Sequence, residues 1–226
     1  MVKKFLAIVM FVIMVGFGAA LTLKAAIGVG AWDAKVATIA SIMNVQIGTM
    51  VIVANSFMVL VQILILRKGF KKLQLLQVLA TFIMGNIINF VLYTLLVDFE
   101  INNYFMRLAV YLGGIVLIAF AVGAVMTINL IPFPVEGACQ AMSKKTGLKF
   151  AFLRQMLDVV AVLSTIALTF IFSQNLIIRE GTIIGVLIFG PLMGFFMKQL
   201  APLFVKLRLV HEDKEENEQE ELLENA

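Results

Sequence analysis

Gly28-Val-Gly-Ala-Trp-Asp33 and, about a hundred residues later, Pro132-Phe-Pro-Val-Glu-Gly137 are the stretches on which the reading of this chain turns. Each follows a long apolar run, each interrupts it with glycine or proline, and each carries a carboxylate just past the break. Interruptions at corresponding places in two hydrophobic halves are the sequence pattern of broken helices that meet at a midplane binding site. The two segments therefore predict an internal repeat, and a place where helix ends turn inward.

Outward from these breaks, the composition sets the environment. With 226 residues, 62% hydrophobic and 14% charged, and a mean hydropathy of +1.02, the chain holds more apolar surface than a soluble domain of this size can bury. An integral membrane protein is expected, with the lipid bilayer as its first partner. Six apolar stretches reach the roughly twenty residues that cross a bilayer core. They run near Phe5–Leu23, Ile47–Leu66, Leu73–Val97, Leu108–Ile128, Phe150–Phe172 and Thr182–Leu203. The first reads as a span rather than a signal peptide, because it is long enough to cross and its Gly16/Gly18 end recurs in the second half.

Charge orients the spans. With the N-terminus inside, the cytoplasmic side collects Lys3, Lys4, Arg67, Lys68, Lys71, Lys72, Lys144, Lys145, Lys149, Arg154, Lys198, Lys206 and Arg208. The opposite side receives only Lys24, Lys35, Arg107 and Arg179. That bias places both termini in the cytoplasm. Eight of the fourteen acidic residues lie between Glu212 and Glu224, so the modest net charge of +4 hides a strongly basic membrane part. Basic residues that punctuate apolar runs, rather than line a solvated face, exclude a nucleic-acid partner.

Sliding the halves over one another exposes the repeat. At a shift of 105, Gly18-Ala19 meets Gly123-Ala124 and Thr22 meets Thr127. After a two-residue indel, Asp33 meets Glu136 and Asn55 meets Asp158; beyond it, Gly85 meets Gly190 and Phe90 meets Phe195. Three spans per copy is odd, so the second copy enters the membrane upside down. The predicted fold is an all-α membrane protein: six transmembrane helices in two inverted-topology three-helix repeats, residues 1–105 and 106–210. Each repeat carries a short helix after its first span, Trp32–Met43 and Glu136–Lys145. These helices either re-enter the membrane or lie along its interface, anchored by Trp32. The Glu-rich segment 211–226 is expected to be a disordered cytoplasmic tail.

Ionisable groups inside apolar spans are costly, and each demands an account. Arg154 and Asp158 sit one turn apart and can pair on one helix face; they either fix the fifth span or form a tuned proton or cation site, with the repeat mate Asn55 facing Asp158. Asp33 and Glu136 stand in the first turns of the short helices, where they either cap unpaired N–H groups or turn toward a cavity and couple transport to protons. Trp32 either covers a substrate or joins the interfacial belt. A second polar set comprises Gln62, Asn86, Asn89, Tyr93, Thr127, Asn129 and Gln140. Asn86, Asn89 and Tyr93 share one face of the third span, expected to look inward because lipid leaves amides unpaired. The candidate substrate or ion site is thus Trp32, Asp33, Asn55, Asn86, Asn89, Glu136, Arg154 and Asp158.

Enzyme chemistry finds little footing. The single histidine, His211, lies in the tail, and there is neither a metal-binding HExxH nor a phosphate-cradling glycine loop with lysine, so no cofactor or metal is expected. The lone Cys139 excludes an internal disulfide.

Gly28-Val-Gly-Ala-Trp-Asp33 with Gly48, Pro134-Val-Glu-Gly137 followed by Arg154 and Asp158, and Gly181-Thr182 with Gly190-Pro191 and Gly194 together resemble the YczE/YyaS/YitT-type group of bacterial membrane proteins. The resemblance extends to about Lys206 and departs from the group's pattern at Ala31 and Glu136. It implies a multi-pass protein of the bacterial inner membrane. The reading as a whole predicts a small secondary transporter of a polar or amphipathic metabolite, working by alternating access with protons as the candidate coupling ion. The alternative is a non-transporting accessory protein that docks a cytoplasmic biosynthetic or regulatory partner. A homo-oligomer is left open by both.

Overall fold

The computed structural model describes residues 2–207, 209 and 210. Arg208 and the tail from His211, expected to be disordered, lie outside the described residues. The described chain folds as α1 (Val2–Ala25), α2 (Ala31–Met43), α3 (Ile47–Leu66), α4 (Leu76–Phe90), α5 (Tyr104–Ile128), α6 (Pro134–Thr146), α7 (Phe150–Ile171) and α8 (Glu180–Lys206). A 3₁₀ turn at Lys72–Leu75 leads into α4, and a π turn at Val91–Leu95 continues it. Six of these helices are long and apolar enough to cross a membrane. The expected spans and both short helices fall where the apolar runs and their breaks put them.

Local chemistry sets the helix ends. Pro134 opens α6, where its missing N–H removes nothing and its fixed φ suits the first turn. The Asn103 side chain accepts a hydrogen bond from the Phe105 N–H and caps α5. Asn44, Asn129 and Gly147 end α2, α5 and α6 in the left-handed conformation that closes a helix.

α1 and α5 form the centre. A Cβ on Gly18 would meet the Gly114 carbonyl oxygen at 3.0 Å, while the rings of Phe11 and Phe120 lie 5.9 Å apart. As α1 advances from Phe11 to Gly18, α5 retreats from Phe120 to Gly114, so the leading helices of the two repeats run antiparallel. That is the inversion three spans per repeat require.

The packing follows the same relation. α4 flanks α1 as α8 flanks α5, and α6 packs on α3 as α2 packs on α7. One pair breaks it: α3 packs closely on α4, with Gly48 against Gly85, whereas α7 makes no comparable contact with α8. Half of the central window of α1 and of α5 is buried (50%), against 11% for α7 and α8. The two short helices are better enclosed than these spans, with Ala31, Ala34, Val36, Ala37, Thr38 and Ala40 buried in α2 and Pro134, Val135, Gly137, Ala138, Cys139 and Ala141 in α6. Small side chains let both lie inside the bundle, where protein rather than lipid surrounds their broken backbone.

Candidate functional site between the two half-helices

α2 slants from one end of the bundle to its middle. Near its C-terminus, Ser41 donates to the Gln174 side chain at 2.6 Å, in the loop between α7 and α8. At its start, the Trp32 indole N–H donates to the Asn55 side-chain oxygen at 3.1 Å. Asn55 lies eight residues into the twenty of α3, about 12 Å along its axis at 1.5 Å per residue. A headgroup-level helix could not reach it, so α2 is re-entrant. The Lys35 ammonium sits over the Trp32 ring at 5.5 Å.

α6 is held from the opposite half. The buried amides of Gln62 on α3 and Gln77 on α4 bond each other twice, at 2.9 and 3.1 Å, and Gln62 also donates to the Pro134 carbonyl at 3.0 Å. Gly137 makes room, since a Cβ there would sit 2.7 Å from the Gln62 oxygen. Gln77 escaped the sequence reading. Its signal was the one applied to the charged residues, a polar group buried within an apolar span, and it holds equally for Tyr111, whose hydroxyl donates to the Gly181 carbonyl.

Between α2, α6 and α7 lie the four ionisable residues singled out from sequence. Arg154 pairs with Asp158 through a side-chain hydrogen bond on its own helix and with Glu136 across to α6, Nε to Oε1 at 3.5 Å. Arg154 and Asp158 are each 25% exposed and Glu136 14%, a semi-enclosed setting. Asp33 completes the group within electrostatic reach of all three. It makes no hydrogen bond or ion pair among the described residues, and neither short helix has a side-chain hydrogen bond at its N-cap, so capping does not occupy Asp33. Its side chain keeps a partial opening yet has protein crowded around it. Burial is the dominant influence and pushes its carboxyl up to about 6; Arg154 opposes the rise, and Glu136 and Asp158 add to it. Nearby Cys139 is fully buried, which pushes its thiol up to about 11 and leaves it unreactive.

The remaining candidates are placed elsewhere. Asn55 bonds Trp32 and does not meet Asp158. Asn89 accepts from the Gly48 N–H at 2.8 Å and donates to Thr49, and the Tyr93 hydroxyl accepts from the Ile47 N–H at 3.2 Å, so both satisfy the start of α3. Asn86 corrects the expected inward face. It is exposed, and its amide donates to the Phe82 carbonyl one turn back, which satisfies it without a neighbouring helix. The three-residue step from Asn86 to Asn89 turns the helix by about 300° and leaves the two roughly 60° apart.

These features define a polytopic α-helical membrane protein with two half-helices of opposite repeats joined at a charged cluster. The chain belongs to DUF6198, a family of unknown function, which matches residues 2–198. No curated protein and no solved structure matches it.

Proposed function

We propose that this protein is a small secondary transporter that works by alternating access, with Asp33, Glu136 and Asp158 as its proton-binding carboxylates and Arg154 as their shared counter-ion. The observation that carries this reading is the charge imbalance of the cluster: three carboxylates face one guanidinium in a semi-enclosed site. One cation cannot neutralise three anions in a low-dielectric interior, so occupancy by protons or a cation completes the balance. Two of the carboxylates occupy the third position of a half-helix, Asp33 in α2 and Glu136 in α6. Their charge state thus governs how the half-helices sit against α7.

With Asp33 protonated, the guanidinium is left to Glu136 and Asp158; with Asp33 ionised, a third carboxylate draws on Arg154 and pulls α2 toward α7. Asp33 belongs to the first repeat and Arg154, Glu136 and Asp158 to the second, so a proton on Asp33 changes the attraction between opposite repeats, which is the kind of switch alternating access needs. The site contains no histidine and no cluster of metal-ligating residues among the described residues, and its working groups do not form a nucleophile–base pair. The excess of lysine and arginine in the connections on the side of the N-terminus supports cytoplasmic termini.

A pH jump applied to proteoliposomes on a solid-supported membrane tests the reading without a known substrate. The wild type should give a transient charge displacement as the cluster titrates, and Asp33→Asn should abolish most of it. A wild type that moves no charge, in folded protein, removes the proton-coupled carrier.

A further inference from the structure

A second polar site lies at the end of the bundle formed by the α1–α2, α4–α5 and α7–α8 connections. There an open crevice of about 700 Å³ is lined by Lys24, Arg107 and Arg179, with Tyr93 and one carboxylate, Glu100, on its walls. That volume is in the range of small-molecule sites, about 300–1,000 Å³. Three of the four cations assigned to this side of the membrane therefore converge on one cavity.

None of the three forms an ion pair among the described residues. Each instead ties down a surrounding carbonyl with a single donor: Lys24 to Val97 at 3.4 Å, Arg107 through Nε to Ile101 at 2.6 Å, and Arg179 through Nη1 to Ala26 at 3.0 Å. A guanidinium carries five N–H donors and an ammonium three, so most of these donors have no protein partner among the described residues. Three cations held in position by backbone contacts, outnumbering the single carboxylate of Glu100 and unpaired with it, are organised for an anionic group, and two guanidinium groups suit the geometry of carboxylate or phosphate oxygens. The crevice also adjoins the central cluster. Ala37 forms part of its lining, and Asp33 lies four residues earlier on the same face of α2.

We propose that this crevice is the entry site for the transported solute, and that the solute is a small anion bearing a carboxylate or phosphate group. The claim rests on the carrier reading for the word transported, but the two fail separately. Charge movement after a pH jump needs no anion, and anion binding in the crevice needs no proton flux.

The test is the thermal unfolding of the full chain in nanodiscs of phosphatidylcholine, with inorganic phosphate or succinate added at constant ionic strength against potassium chloride. Either anion should raise the unfolding temperature saturably by a few degrees. Arg107→Gln and Arg179→Gln should each weaken the response roughly tenfold, the scale of one charge-assisted hydrogen bond. All three side chains also hold a carbonyl in place, and the Lys24 bond is the longest at 3.4 Å, so Lys24→Gln serves as the variant that disturbs least, and it should weaken the response as well. No response to either anion, or a response unchanged in all three variants, overturns the proposal. Stabilisation that appears only when phosphatidylglycerol is built into the disc assigns the crevice to lipid headgroups and overturns it too.

Discussion

The indole of Trp32 donates a 3.1 Å hydrogen bond to Asn55, and this bond ties the start of α2 to the middle of α3. Asn55 is 5% exposed, so its amide depends on this partner. Trp32→Phe keeps an aromatic ring but leaves the Asn55 oxygen buried without a donor, which should destabilise the protein by about 1–3 kcal/mol. Unfolding in mixed micelles reads that loss. A single cysteine introduced at Val29 should also label faster in Trp32→Phe than in the parent, because Cys139 is buried and stays silent. Equal labelling rates would show that the bond does not hold the half-helix.

Arg154 answers to two carboxylates on different helices. Arg154→Gln leaves Glu136 and Asp158 without their cation and should cost about 2 kcal/mol, below the 3–5 kcal/mol of a fully buried pair because the site is partly open. Adding Glu136→Gln to that variant should return part of the loss. A double variant less stable than Arg154→Gln alone contradicts the pairing.

Stability should depend on pH through Asp33. Its carboxyl is raised from 3.8 to about 6 in the folded chain, so between those values the folded state holds a proton that the unfolded state has released. Folding stability from this group is therefore greatest at low pH and falls as pH rises from about 4 to about 6. Melting curves across that window should show the decline in the wild type and a flatter profile in Asp33→Asn. Identical profiles would remove the burial argument for this residue.

Gly85 and Gly190 are repeat mates with opposite surroundings. A Cβ at Gly85 would collide with the Gly48 carbonyl oxygen and with Ile52, while one at Gly190 meets nothing within 4 Å. Gly85→Ala should cost about 1–3 kcal/mol through overpacking. Gly190→Ala should be neutral or slightly stabilising, since alanine favours the helix. Similar unfolding of both variants would mean that α8 is packed as tightly as α4.

How much was legible in sequence follows from what each feature depends on. The spans were, because crossing a bilayer takes a run of apolar residues whatever the neighbours are. So were the breaks at Gly28–Asp33 and Pro132–Gly137, since glycine and proline act on their own backbone. The cluster was legible in part: Arg154 and Asp158 share a helix face by spacing alone, and Glu136 and Asp33 were matched by the repeat. Asn86 was misjudged because a side chain that can bond its own helix needs no inward face.

Sequence by itself determined the membrane setting, the six spans, the inverted repeat and the residues too polar for lipid, all of which follow from local composition and periodicity. Only the tertiary structure decided that α2 is re-entrant, that Gln77 locks α6 through Gln62, that Lys24, Arg107 and Arg179 ring one crevice, and that α7 stands apart from α8 where α3 embraces α4. The physical reason is that these are contacts between residues far apart in the chain, and the halves, though related by repeat, bear different side chains at the matching contact points.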